Sequence, residues 1–349
     1  MDSAPPNWLP AVMRLLIIGG TVFVGRAITD VALARGHTVT MLNRGKSAGA
    51  MPEGVEHLKA DRDTDLSQLA GRTWDAVIDT CAYLPRQVRA LLGALAGQPH
   101  YTLISSISAH ADLSQPDFDE TSPLSDPPAD EAIEFDWKLY GPLKAGCEQV
   151  AHELAEGRSL IIRPGIIVGP YDPTGRFGYW VRRMNTNQEF IAPDDDVSVL
   201  QVIDVRDLAK WIVPLVEQRL ADAYLAVGPT QPLKFRKFIE VGLEVLKSKA
   251  TPVWVPTSKL ENVEGSRVLG EPDFPILLPL WLPGIVVKNA GMFAANGSKA
   301  WASGLLPRSL AETIVDVSAY EANVPVPRLL GLTPVEEEQE LVRLKALMR

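Results

Sequence analysis

A short aliphatic run, Leu15–Ile18, ends in Gly19-Gly20-Thr21-Val22-Phe23-Val24-Gly25 and passes at once into a helical pattern. No other feature of this 349-residue chain narrows its fold so far. Strand, glycine turn and helix in that order place a helix N-terminus at the strand's carboxyl end, where unpaired backbone N–H groups and the helix dipole favour a phosphate. A glycine at the strand end makes the tight turn, and Gly25 lets the helix sit close on the sheet. Gly19, Thr21, Val22, Phe23, Val24 and Gly25 are therefore candidate pyrophosphate-binding residues. Val22 stands where a G-x-x-G-x-x-G spacing has its middle glycine, and its side chain limits the approach of backbone to phosphate.

The chain continues in the alternation that a parallel sheet covered by helices requires. Strands are predicted at Leu15–Ile18, Thr38–Leu42, Val55–Leu58, Ala76–Asp79, Tyr101–Ser105 and Leu160–Arg163, with clear helices at Val88–Leu95 and Leu143–Leu154. The stretch Asp112–Asp130, rich in Asp, Pro and Ser, reads as a loop. After Pro164 the regularity falls: 165–198 reads as loop-rich, Asp204–Gln218 as a helix, Ala223–Val227 as a strand, Phe235–Lys247 and Pro334–Met348 as helices, with a Pro-rich stretch near 251–285. The expected fold is α/β, a Rossmann-type doubly wound parallel sheet with a smaller C-terminal substrate-binding lobe. Residues 13–165, with 199–222 returning, would form the dinucleotide domain, and 166–198 with 223–349 the lobe.

Eighteen residues past Gly25 the second strand ends at Asn43-Arg44-Gly45-Lys46. An acid gripping a ribose 2′-hydroxyl would argue for NAD. That acid is absent, and Arg44 and Lys46 offer charge to a 2′-phosphate, so NADP(H) is favoured over NAD(H). Asn43, Asp61 and Arg62 are candidates for the adenosine end.

Tyr140 and Lys144 stand four residues apart in YGPLK, on one face of a helix that has begun by then. An ammonium beside a phenol favours the phenolate, which makes the phenol a usable proton donor or acceptor. Ser106, in LISSIS at the end of the fifth strand, lies at the sheet edge where α/β proteins bind ligands, with Ser105 and Ser108 as alternatives. The catalytic candidates are Ser106, Tyr140 and Lys144.

GGTVFVG, SSISAHAD, YGPLK and IIRPGIIVGPYD, in this order and spacing, resemble the extended short-chain dehydrogenase/reductase family, the group of NAD-dependent epimerases and dehydratases. The likeness covers residues 14–230 well and the rest loosely. It implies Tyr140 as acid/base, Lys144 on the nicotinamide ribose and tuning Tyr140, and Ser106 orienting substrate. It further implies that Thr80, Cys81 and Ala82 line the cofactor and that the segment holding Pro164, Ile166 and Ile167 closes over the nicotinamide. A homodimer through the Tyr140 helix would be usual for the family. His110 departs from the tyrosine of many sugar-nucleotide members, which weakens a sugar-epimerase reading. GGTxFxG and NRGK are also similar to an atypical branch that includes chloroplast stem-loop RNA-binding proteins.

Tyr83, Ser108, His110, Arg176, Phe177 and Trp180 are candidate substrate contacts; the last three belong to a segment whose rings and guanidinium groups suit stacking and anion pairing. The 43 acidic residues against 34 basic ones give a net charge of −9, without a dense basic block, which disfavours nucleic acid. Two cysteines, Cys81 and Cys147, and five scattered histidines show no metal-ligand spacing, so no metal is expected. Cysteine usage of this kind fits a reducing cytoplasm; residues 1–12 resemble no signal peptide, and Phe274–Val287 is too broken by proline to span a bilayer. That segment reads as core strand plus loop.

The expected activity is an NAD(P)-dependent oxidoreductase, a carbonyl reductase or alcohol dehydrogenase acting on a small molecule. A nucleotide-sugar epimerase or dehydratase with tightly held NAD is the alternative. A non-catalytic dinucleotide-binding regulatory protein is a third reading.

Overall fold

The computed structural model describes residues 11–46, 51–129, 134–229, 231–260, 278–281, 290–324 and 331–349. Its N-terminal strands are β1 (Arg14–Ile18), β2 (Thr38–Asn43), β3 (Glu56–Lys59), β4 (Ala76–Asp79), β5 (His100–Ile104) and β6 (Ser159–Pro164), with helices α1 (Phe23–Ala34), α2 (Pro85–Ala94) and α3 (Tyr140–Leu154). These strands and Ala223–Ala226 form a seven-stranded sheet among the described residues, in the order Ala223–Ala226, β6, β5, β4, β1, β2, β3. The pairings are parallel, with Leu15 opposite Val39 on one side and Ala76 on the other.

This order has a physical origin in the sequence. Strands β1 and β4 read as largely aliphatic runs because both faces are covered, and Leu15, Leu16, Ile17 and Val77 in them, with Leu103 of β5, are wholly buried. The chain runs outward through β1, β2 and β3, then crosses back to start β4 on the other side of β1. Ligands of open α/β sheets bind at that reversal, outside the carboxyl ends of the strands. Thr80 marks the spot: its backbone N–H and its Oγ1 both donate to the Ile18 carbonyl, at 3.2 and 2.8 Å.

The chain divides into two compact units, one comprising Met1–Ala109, Asp126–Ile162 and Ala209–Ala223, the other His110–Ser125, Arg163–Leu208 and Tyr224–Arg349. In the second unit Ile166–Val168 pairs in parallel with Val202–Asp204, and Glu189–Asp194 pairs in parallel with Thr251–Pro256. The stretch 165–198, expected to be loop-rich, thus holds two strands and the helix Arg176–Met184. Its helix starts after Gly175 in left-handed backbone (φ +63°) with no side-chain cap, so the usual local start signal is missing. The Pro-rich stretch likewise opens with a strand, Thr251–Pro256. Of the apolar segment Phe274–Val287 only 278–281 lie within the described residues, and Leu278, Leu280 and Trp281 are buried there. No described helix is long and apolar enough to cross a membrane.

Candidate active site

The glycine loop is shaped by contacts that leave no room for side chains. A Cβ on Gly19 would lie 2.5 Å from Thr80 Oγ1, and one on Gly25 would lie 2.5 Å from the backbone nitrogen of Gly20. Gly19 and Gly20 also take positive φ, +98° and +85°, which L-residues adopt at a cost. Phe23, the first residue of α1, holds φ +44°, a strained value for a side chain of that size. Val22 precedes it in extended backbone, 40% exposed, and no side chain caps the helix. The first N–H groups of α1 are therefore left for a ligand, and no acidic residue in the first turn opposes an anion. This end of the sheet fits a pyrophosphate.

Asn43 has a structural duty. Its Nδ2 donates to the Gly19 carbonyl at 3.0 Å, and its Oδ1 accepts from Gly45 N at 2.8 Å and meets His57 Nε2 at 3.1 Å. The glycine loop is thereby tied to the corner where Arg44 and Lys46 stand exposed. The register of β2 on β3 brings Lys59 opposite Asn43, and Lys59 Cε would lie 3.1 Å from a methyl on Gly45. Lys59 is a basic residue of this corner that sequence reasoning missed; the signal was the pairing of two strands, not a spacing.

Arg62, an expected adenosine contact, is engaged inside the protein instead. Arg62 is buried and bonds Asp79 through both Nη atoms, at 2.7 and 2.8 Å, with Nη2 also on the Gln87 carbonyl at 3.1 Å. The Tyr101 hydroxyl donates to the same carboxylate at 3.0 Å. Burial forces this: a charge inside a parallel sheet's edge must be matched by another. Asp61 closes a local turn, its Oδ1 accepting from Asp63 N at 3.2 Å. Cys81 lies at the loop mouth, its Sγ 3.5 Å from a Cβ built on Gly19; burial and the nearby Asp79 push its thiol up, so it is not a reactive thiolate. Ala82 is fully buried.

The helix of Tyr140 starts where the sequence spacing requires. A 3-10 turn, Trp137–Leu139, is capped by Asp136, which accepts from Lys138 N at 2.8 Å, and α3 follows from Tyr140. Lys144, one turn on, is buried, and its Nζ donates to the carbonyls of Ala82 and Ile104 at 2.9 and 2.7 Å. An ammonium has three N–H donors, so one remains. The ring under this ammonium is that of Tyr83, 5.7 Å from its centroid. Burial, with Tyr140 and Cys81 nearby, pushes the Tyr83 phenol up to about 12. Tyr83 therefore stays neutral.

Tyr83 and Tyr140 belong to a ring of four aromatic side chains that the sequence reading did not assemble. Centroids lie 5.4 Å apart for Tyr83 and Phe135, 4.9 Å for Phe135 and Trp137, 5.6 Å for Trp137 and Tyr140, and 6.4 Å for Tyr140 and Tyr83. Ser106 lies two residues past the end of β5; it is buried, and its Oγ accepts from Ser108 N at 3.1 Å, which makes Ser108 part of the turn that orients it. Ser105 is engaged elsewhere, donating to the buried carboxylate of Glu148.

The remaining candidates fall in the second unit. Phe177 and Trp180 are fully buried in its apolar core, Trp180 Nε1 donating to the Pro279 carbonyl at 2.5 Å, so neither serves as a substrate contact. The helix that carries them turns its rings inward, where burying about 150–250 Å² per ring outweighs any surface role. His110 is also buried, 4.8 Å from the Phe118 ring and bridged to Leu124, which places it as a packing residue. Arg176 Nε donates to Thr174 Oγ1 at 3.1 Å. Pro164 ends β6, and Ile166 and Ile167 are half-buried in the strand paired with Val202–Asp204. No group of His, Cys, Asp and Glu among the described residues could hold a metal ion.

No family model matches the chain. It is 25% identical over 276 residues to 2′-dehydrokanamycin reductase of Streptomyces kanamyceticus, a match covering 74% of each protein. It is 26% identical over 217 residues to the chloroplast stem-loop binding protein of 41 kDa b of Arabidopsis thaliana, where the match spans 56% of this chain and about half, 53%, of that one. Among solved structures it is similar to the Bordetella bronchiseptica enzyme WbmH, determined with NAD+ (17% identity, 90% of this chain, 100% of that one, TM-score 0.60). It is also similar to human epimerase family protein SDR39U1, determined with NADPH (19% identity, 89% of this chain, 100% of that one, TM-score 0.57). The likeness to these solved structures shows a shared fold, a parallel α/β sheet covered by helices.

Proposed function

We propose that the chain is an NADP(H)-preferring oxidoreductase that interconverts a carbonyl and an alcohol on a small molecule. The observation that carries this reading is the clamp on Lys144: a buried ammonium fixed by the Ala82 and Ile104 carbonyls, one helical turn from Tyr140 and beside the glycine loop. A buried ammonium is costly to keep, and an arrangement that holds it with a donor to spare suits a cofactor ribose hydroxyl.

The dinucleotide supplies or takes up a hydride when bound. The α1 N-terminus would hold its pyrophosphate, and Arg44, Lys46 and Lys59 a 2′-phosphate. Lys144 would give its remaining N–H to the nicotinamide ribose and keep positive charge close to the proton-transfer site. Tyr140 then passes its phenolic proton to the developing alkoxide, or takes it up in the reverse direction, while the Ser106 hydroxyl orients the reacting oxygen. Tyr83 cannot share the proton role, because its own proton is held too firmly. The reductase among the sequence relatives supports the redox reading.

Structural neighbours named as 4-epimerases favour one alternative, a nucleotide-sugar epimerase with retained NAD. Identification of the nucleotide carried by the purified protein, followed by NADPH and NADH titration of the emptied protein, separates the two. An empty site that prefers NADPH is expected. Tightly co-purified NAD would favour the epimerase instead.

A further inference from the structure

We infer that Glu148 is a positioning residue of the proposed active site: through the Ser105 hydroxyl it fixes the turn that carries Ser106, and with it the place of the Ser106 hydroxyl in the frame of the helix that bears Tyr140. The inference rests on the proposed roles of Ser106 and Tyr140 and adds the group that holds the two in register.

Two observations carry it. The first is the row of side chains on α3. Tyr140, Lys144 and Glu148 follow one another at spacings of four, so they share one face of the helix. Lys144 and Glu148 are both buried, which charged side chains accept only when paired or hydrogen-bonded. Their partners are neighbours in the chain. Lys144 Nζ donates to the Ile104 carbonyl at 2.7 Å, and Ser105 Oγ donates to Glu148 Oε1. Two successive turns of α3 thus grip the last residue of β5 and the one after it, immediately before Ser106. The two bonds have opposite polarity, because the helix donates in one and accepts in the other. Sliding α3 by one turn, so that Glu148 takes the place of Lys144, would set its carboxylate against the Ile104 carbonyl, acceptor against acceptor. One register satisfies both bonds.

The second observation is what surrounds Ser105. Its backbone N–H donates to the Ile162 carbonyl of β6 at 2.7 Å, so main chain and side chain of this one residue are both held. Beyond it the chain leaves the sheet in a turn closed on Ser106, whose Oγ accepts from Ser108 N and whose carbonyl accepts from Ala109 N, each at 3.1 Å. With Ser105 fixed from β6 and from α3, the peptide leading into Ser106 has one orientation. Packing alone would not need this chemistry, since a leucine facing an alanine buries no charge. A hydrogen bond to a carboxylate specifies a direction, which apolar contact does not.

The test reads backbone amide hydrogen exchange by NMR in the isotope-labelled full chain. Ser108 reports on the turn, and Leu16, in the central strand β1, on global opening. The double variant Ser105→Ala/Glu148→Leu removes both polar partners together and strands no charge, so it is expected to fold. In it the Ser108 amide is expected to exchange about tenfold faster, the worth of one hydrogen bond, while Leu16 keeps the parent rate. Glu148→Gln keeps an acceptor for Ser105 and is expected to leave Ser108 within about threefold of the parent. Ser108 exchange that the double variant leaves unchanged, or raises no more than that of Leu16, overturns the inference; the latter would make Glu148 a contributor to stability alone. Exchange in Glu148→Gln as fast as in the double variant overturns it too, by assigning the effect to the buried charge instead of the bond. Neither cofactor nor substrate enters this readout, so its failure is told apart from that of the redox reading, which falls if the parent protein binds neither NADPH nor NADH.

Discussion

Lys144 Nζ lies 2.7 Å from the carbonyl oxygen of Ile104, the last residue of β5. With its second bond to Ala82, in the loop after β4, the ammonium joins the carboxyl side of the sheet to the helix that starts at Tyr140. The proposed catalytic geometry and the stability of the fold are therefore coupled through one side chain. Lys144→Met keeps the length of the chain but leaves both buried carbonyls without a donor, at about 1–3 kcal/mol each. Urea denaturation is expected to show a stability loss of that order, together with turnover lowered at least a hundredfold. A variant as stable as the parent would show that the clamp carries no structural weight.

Tyr140→Phe removes one hydroxyl and keeps the ring among Tyr83 and Trp137. Turnover should fall by about 10²–10⁴, with the NADPH dissociation constant within about twofold of the parent. Retained turnover rules out the proposed proton role.

Arg62 and Asp79 form a buried bidentate pair behind the cofactor edge. Removing one partner strands the other charge in the interior, so Asp79→Asn should cost about 3–5 kcal/mol. The double variant Arg62→Met/Asp79→Leu should cost less than Asp79→Asn alone, because no uncompensated charge is left. Denaturation curves of the three proteins decide between this account and simple additivity.

Arg44 and Lys46 are exposed and make no ion pair among the described residues. Replacing both with alanine should weaken NADPH binding at least tenfold while leaving NADH binding nearly unchanged, since only the former carries the 2′-phosphate. Calorimetric titration at a single salt concentration makes the comparison. Equal losses for both nucleotides would assign these residues to general charge instead of 2′-phosphate recognition.

Tyr83 supplies a prediction in pH. Burial, then Tyr140 and Cys81, raise its phenol to about 12, whereas an unfolded chain ionises tyrosine near about 10. The folded state therefore favours the neutral phenol. This contribution to stability is whole below about pH 10 and is lost as pH rises between about 10 and 12. Tyr83→Phe should flatten the alkaline loss measured by denaturant midpoints, and should leave the alkaline limb of the turnover profile in place, because the titrating group there is not Tyr83. A limb that moves with Tyr83→Phe would transfer the proton role to it.

Local chemistry written into the chain determined the strand–glycine–helix start, the order of strands β1 to β6, and the helical phase that sets Lys144 one turn from Tyr140. Glycine turns, aliphatic runs and helical spacing depend on neighbours in sequence and need no long-range partner to be recognised. Tertiary structure alone decided the partners. It assigned Arg62 to Asp79, Asn43 to the Gly19 carbonyl, Lys144 to the carbonyls of Ala82 and Ile104, and Phe177 and Trp180 to an apolar core. It also gathered Tyr83, Phe135, Trp137 and Tyr140 from segments more than fifty residues apart. The same arginine or tryptophan serves a surface, a ligand or a core with equal local propensity. Which it serves follows from burial and from the charge or ring it meets, and both are properties of the folded chain.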